Sequence, residues 1–126
     1  MSEKRKILIV DDDKEMVAVM NRILVHDDHS YQLDVAYNGK EALSKLDEFF
    51  PDLVLLDVRM PEMDGFAFCE QMKASEKHQN VKVIVVSGAL DMDSVDKFMK
   101  LGANDYLTKP FRNEFLLMLV ERVLSS

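Results

Sequence analysis

The chain has 126 residues, 48% of them hydrophobic and 31% charged, which is the balance of one folded domain with a single core rather than a disordered tail or a membrane span. Its net charge of -7 argues against a nucleic-acid backbone as direct ligand, since that needs a basic face, and favours a cation at an acidic site. The apolar run ILIV after the basic start MSEKRK is too short for a signal-peptide core, and a lone cysteine excludes an internal disulfide, so a cytoplasmic protein without membrane contact is expected.

Residues 7–10 form a short continuous apolar run, as expected of a strand buried on both faces. Over 14–25, Met16, Met20 and Leu24 recur every four residues beside Ile23, which predicts a helix broken by the polar stretch 27–30. A second strand is expected over 33–36. Ala42, Leu43, Leu46, Phe49 and Phe50 are then expected on one helical face, with Pro51 as the stop. Residues 53–56 give a third strand and 65 to about 75 a third helix, in which Cys69, set among Phe66, Phe68 and Met72, reads as a small core residue rather than a reactive thiol. A fourth strand is expected over 81–86. Val95, Phe98 and Met99 mark a fourth helix closed by Gly102, followed by a short fifth strand over 105–108 and a last helix over 113–124. Five strand-helix units fill the chain, so the expected class is α/β: one domain over 1–126, a parallel sheet with crossover helices and no output domain.

In such a sheet, chemistry gathers at the carboxyl ends of the strands. Those ends carry Asp11, Asp12 and Asp13 after strand one, Asp57 after strand three, Ser87 after strand four, and Thr108 and Lys109 before Pro110 at strand five. Only strand two ends without a reactive group. Carboxylates gathered at one edge repel each other and hold protons unless a cation sits among them. Hard oxygen ligands suit Mg²⁺, which readily shares its shell with phosphate oxygens, and this points to phosphoryl chemistry. Helix capping accounts for one of the three adjacent acids, and Asp13 is the expected cap. Lys109 supplies a positive charge able to pair with a carboxylate or with a phosphate added to it. Its bond to Pro110 is a candidate cis peptide, at a cost of about 0.5 to 1 kcal/mol. The Ser87 hydroxyl has two readings, as a donor to a phosphate oxygen or as a cap for the fourth helix.

Four segments, VDDD at 10–13, LLDVRMPEMDG at 55–65, VVSGA at 85–89 and YLTKPF at 106–111, together resemble the response-regulator receiver domain of two-component signalling, in order and over essentially the whole chain. The resemblance implies a flavodoxin-like, doubly wound sheet of order 2-1-3-4-5. It implies that Asp57 accepts a phosphoryl group from a sensor histidine kinase, a phosphotransfer protein or a small acyl phosphate. Asp12 and Asp57 then hold Mg²⁺ directly, Asp11 orients metal-bound water, and the backbone carbonyl of Arg59 completes the protein's share of the shell. Lys109 neutralises the phosphoryl group and Ser87 hydrogen-bonds it. Tyr106 corresponds to an aromatic that rotates when the hydroxyl residue moves, although a half-buried strand tyrosine reads the same way in sequence. Arg59 and Ala89 match positions that tune the lifetime of the phosphate. Such a domain is not a turnover enzyme: it promotes only its own phosphotransfer and autodephosphorylation.

The fourth helix, fifth strand and fifth helix become the output face, toward a downstream protein or a second copy. The unbroken apolar run 115–120 is wider than one core-facing stripe needs, and its surplus, Leu117 or Met118, fits either a contact there or a deeply buried helix. Met60 and Met63 belong to the family's loop and are not read as metal ligands. Two rivals use the same residues. A haloacid-dehalogenase-type phosphatase shares the strand-end aspartate and an Asp-x-Asp spacing within 11–13, but its second acidic motif is missing. A phosphorylation-independent pseudo-receiver usually lacks an acid, the acceptor or the lysine, and all are present here.

Overall fold

The computed structural model describes residues 4–25, 31–58, 64–88 and 92–125. The expected break at 27–30, Arg59, Met60, Met63 and Ala89 lie outside the described residues. Strands and helices alternate as β1 (Lys6–Val10), α1 (Lys14–Val25), β2 (Gln32–Ala36), α2 (Gly39–Phe49), β3 (Leu53–Leu56), α3 (Gly65–Ala74), β4 (Lys82–Ser87), α4 (Met92–Lys100), β5 (Asp105–Thr108) and α5 (Asn113–Leu124). The strands form one parallel sheet in the order β2-β1-β3-β4-β5.

Side chains alternate along a strand, and both faces of this sheet are covered, which is why the central strands read as unbroken apolar runs. Leu8, Val10, Val54, Leu56, Val83 and Val85 face α2 and α3, packing on Ala42, Leu46, Phe68, Cys69 and Met72, with Phe98 of α4 joining them. Ile7, Ile9, Leu53, Leu55, Ile84 and Val86 face α1 and α5, packing on Val17, Met20, Leu24, Leu116, Val120 and Val123. A slip of one residue in any central strand would exchange these two sets and break both layers, so the register is fixed. That register decides which residue stands at each strand end.

The helices begin where short polar side chains satisfy otherwise orphaned amides. Asp13 Oδ1 accepts from the amides of Glu15 and Met16 at 3.0 and 3.3 Å, as expected of the cap of α1. Asn38 accepts from Glu41 N at 2.8 Å at the start of α2, and Asp64 from Ala67 N at 2.9 Å at the start of α3.

Three expectations change at this level. Phe50 does not share the buried face of α2: it is the helix's C-cap, in the left-handed region at φ 52° and ψ 63°, and is 54% exposed. The apolar pattern runs one residue past the last helical one, where the chain turns away ahead of Pro51. Met99 is exposed, so α4 presents Val95 and Phe98 to the core and turns Met99 outward. In α5 the expected surplus at Met118 holds, and the change is that Phe115, also about half exposed, joins it while Leu117 packs on the α1-α5 layer.

Candidate functional site

The sheet's hydrogen bonding runs on into the residues that follow the strands. Asp11 N donates to Ala36 O at 3.1 Å, Asp57 N to Val10 O at 2.9 Å, and Lys109 N to Ser87 O at 3.2 Å. Asp11, Asp57, Ser87 and Lys109 are thereby carried by backbone that belongs to the sheet. Asp11, Asp12 and Asp57 converge so that one carboxylate oxygen from each lies within 4.8 Å of the others. Asp11 and Asp57 are buried and Asp12 is exposed, which gives the cluster two fixed walls and one arm open to solvent.

Each buried acid is already held. Asp11 Oδ1 accepts from Asp13 N at 3.0 Å and Asp11 Oδ2 from Lys109 Nζ at 2.7 Å. Asp57 Oδ1 accepts from Val58 N at 2.8 Å. Burial raises the Asp57 carboxyl from its ordinary value to about 6; the neighbouring Asp11 charge raises it too, the Lys109 charge opposes, hydrogen bonding with Asp11 adds to the rise, and hydrogen bonding with Ser87 lowers it. Among the described residues, the three carboxylates thus carry more negative charge than Lys109 compensates. This donor set, three hard carboxylates sharing a small space, is what Mg²⁺ takes, and the residues fit that ion.

Ser87 is the last residue of β4, pairs with Thr108 and is buried, well ahead of the start of α4 at Met92. The reading of Ser87 as a cap for α4 is thereby set aside. The Lys109-Pro110 bond is cis. Tyr106 stands on β5, beside Val85 in register, and is 42% exposed.

Residues 7–121 match the family of the response regulator receiver domain. The chain belongs to that family. It is 34% identical over 119 residues to the transcriptional regulatory protein CpxR of Klebsiella pneumoniae subsp. pneumoniae (strain HS11286), covering 94% of this chain and 49% of that one, so it spans about half the relative's length. Among solved structures it is similar to the signal receiver domain of a signal transduction histidine kinase from Syntrophus aciditrophicus, at 36% identity and a TM-score of 0.85, covering 96% of this chain and 90% of that one. It is similar also to the signal receiver domain of the DNA binding response regulator protein merR from Colwellia psychrerythraea 34H, at 32% identity and a TM-score of 0.90, covering 98% and 100%.

Membership in the receiver family sets the dehalogenase-type phosphatase aside, and the receiver's sheet order is the one observed here. Of the site residues expected from sequence, the receiver fold brings Asp11, Asp12, Asp57, Ser87 and Lys109 to one sheet edge and leaves Tyr106 on the neighbouring surface. One residue of the site was missed in sequence. Gly65 donates its amide to Val58 O at 3.0 Å, and a Cβ there would stand 2.7 Å from the carbonyl oxygen of Asp57. The available signal was a glycine, a poor helix former, at the first position of the third helix, a residue type that permits close approach of backbone. No described helix is long and apolar enough to cross a membrane.

Proposed function

We propose that this receiver domain is a phosphoacceptor switch in which Asp57 is the nucleophile. One oxygen of the Asp57 carboxylate forms a bond to phosphorus as the bond from phosphorus to the donor breaks. The donor is the phosphohistidine of a sensor histidine kinase or phosphotransfer protein, or a small acyl phosphate, and the leaving imidazole or carboxylate keeps the bonding pair. Transfer of this kind asks for alignment and charge neutralisation more than for covalent help. The alignment comes from the backbone bond between Asp57 N and Val10 O and from the side-chain bond to Val58 N.

Asp12 and Asp57 would hold Mg²⁺ directly, with the backbone carbonyl of Arg59, while Asp11 would orient water on the ion. When bound, the ion neutralises charge on the transferring oxygens. Lys109 Nζ, 2.7 Å from Asp11, is in reach to exchange part of that pairing for an added phosphoryl group, and Ser87, buried beside Asp57, can donate its hydroxyl to it. Both movements draw on the ends of β4 and β5, which favours inward rotation of Tyr106 as the readout on α4, β5 and α5. Phe115 and Met118 give that face apolar area for a downstream protein or a second copy. Arg59 and Ala89 flank the phosphoryl position in sequence and set its lifetime by admitting or excluding water. The domain works in the cytoplasm and does not bind nucleic acid itself, in keeping with its net charge of -7.

The observation that carries this reading is the convergence of Asp57 with Asp11 and Asp12 within 4.8 Å, with Lys109 paired to the same cluster. The test is intact mass after incubation with acetyl phosphate, with and without Mg²⁺, for wild type and Asp57→Ala. A Mg²⁺-dependent gain of one phosphate is expected in the wild type and absent from the variant. Equal gain in both would remove Asp57 as the acceptor.

A further inference from the structure

α4 is a short helix of 9 residues that enters the core through two buried side chains, Val95 and Phe98, whereas α5 enters through five. Its placement therefore depends on few contacts, and one of them is made close to the nucleophile. The position that a Cβ on Gly65 would take is 3.4 Å from Phe98 Cζ, 2.7 Å from the carbonyl oxygen of Asp57 and 3.1 Å from Val58 Cα. Gly65 thus sits between the tip of the Phe98 ring and the backbone of Asp57 and Val58, without room for a side chain of its own.

The ring is held on a second side. Phe66, the next residue after Gly65, stacks on Phe98 with ring centroids 4.0 Å apart and planes inclined by 20°. Lys97, beside Phe98 on α4, sets its ammonium 4.2 Å from the centre of the Phe66 ring. Phe98 itself is 1% exposed, so its ring has no open space to turn into. Packed side chains transmit displacements because a gap of even half an ångström to one ångström forfeits a quarter to a half of the contact energy. A shift of the Asp57 backbone therefore presses on Gly65 and, through Gly65, on the Phe98 ring that packs over it.

We propose that Phe98 is a positioning residue that couples α4 to Asp57: the chemical state of Asp57 sets how tightly α4 is held, and a partner seated on α4 sets in turn how Asp57 is presented. The proposal rests on Asp57 being the phosphoacceptor. It assigns the relay to an aromatic stack on the α2-α3 side of the sheet, separate from Ser87 and Tyr106. By linkage the coupling acts equally in both directions.

The test is hydrogen exchange of the α4 amides, read by mass spectrometry for unphosphorylated and acetyl-phosphate-treated protein in Mg²⁺, in wild type, Phe98→Leu and Phe66→Leu, with intact mass recorded in parallel. The quantity of interest is the ratio of α4 exchange rates between the two states. In wild type that ratio is expected to be about fivefold or more, and in Phe98→Leu below about twofold at the same extent of phosphorylation, with Phe66→Leu between them. A purely structural role would speed α4 exchange in both states and leave the ratio unchanged; that result overturns the proposal. If Phe98→Leu does not fold, Phe66→Leu decides alone, and a wild-type ratio in it overturns the coupling. Absence of any mass gain in wild type removes the phosphoacceptor reading and the coupling together, whereas a mass gain with an unaltered ratio in the variants removes only the coupling.

Discussion

Lys109 Nζ lies 2.7 Å from Asp11 Oδ2, so the cation at the end of β5 is committed to the acid at the end of β1 before any phosphoryl group arrives. The pair is largely withdrawn from solvent, with the Asp11 side chain 1% exposed and Lys109 18%. Removing one partner of such a pair leaves an uncompensated buried charge. Lys109→Met is therefore expected to lose about 3 kcal/mol of stability in EDTA at neutral pH, and to regain a larger share than wild type when Mg²⁺ is added. Urea unfolding with and without the metal checks this; an unchanged midpoint in EDTA would show that the pair contributes nothing net.

Asp57 sets the sign of a pH dependence. Its folded value of about 6 stands above the ordinary 3.8, so between these pH values the folded protein keeps a proton that the unfolded chain has released. The resulting stabilisation is fully present below 3.8 and is lost as pH rises through about 6. Two pH units correspond to about 3 kcal/mol, an upper figure for this buried group. Asp57→Asn is expected to be more stable than metal-free wild type at pH 7.5 and to lack most of this loss. The difference between the two proteins isolates Asp57 from groups of opposite sign such as Asp47, which its hydrogen bond to His78 holds below the usual carboxylate range. Parallel stability profiles for the two from pH 4 to 8 would contradict the assignment.

Asp12 and Asp11 should separate under substitution. Asp12 is exposed, so Asp12→Asn is expected to weaken Mg²⁺ binding by about tenfold or more while changing stability by less than about 0.5 kcal/mol. Asp11 accepts from both Asp13 N and Lys109 Nζ, so Asp11→Asn should weaken metal binding and destabilise the fold as well. Calorimetric titration paired with urea unfolding distinguishes the two, and equal stability losses would show that Asp12 has a structural role.

Gly65→Ala places a methyl group 2.7 Å from a backbone oxygen that cannot swing aside. An overpacking cost of about 1–3 kcal/mol is expected. Because the displaced atom belongs to the nucleophile's own residue, phosphorylation by acetyl phosphate should slow by about tenfold or more. A variant that folds less stably yet phosphorylates at the wild-type rate would show that the Asp57 backbone yields freely.

Much of the site was legible because buried parallel strands write themselves as unbroken apolar runs, so whatever follows each run must sit at the sheet's edge. That logic placed Asp11, Asp57, Ser87 and Lys109, and the need for an N-cap placed Asp13. Pairing between elements was not legible. Nothing in a 3.6-residue period says that Lys109 reaches Asp11, that Phe66 stacks on Phe98, or that His78 pairs with Asp47 from 31 residues away. Periodicity also overran at Phe50, where an apolar residue in helical phase falls just past the point at which the helix has already ended.

The backbone bonds from Asp57 N to Val10 O and from Asp11 N to Ala36 O extend the ladder of the sheet into the residues that do the chemistry. Freeing either amide means unzipping a central strand, an event close to global unfolding. The amides of Asp11 and Asp57 are thus fixed points, and any displacement at Asp57 is carried on its carbonyl side, where Gly65 approaches it. Evolution can then retune partner choice on the outward faces of α4 and α5 while the nucleophile stays anchored at its amide, with the carbonyl side left as the one place where response can feed back on attack.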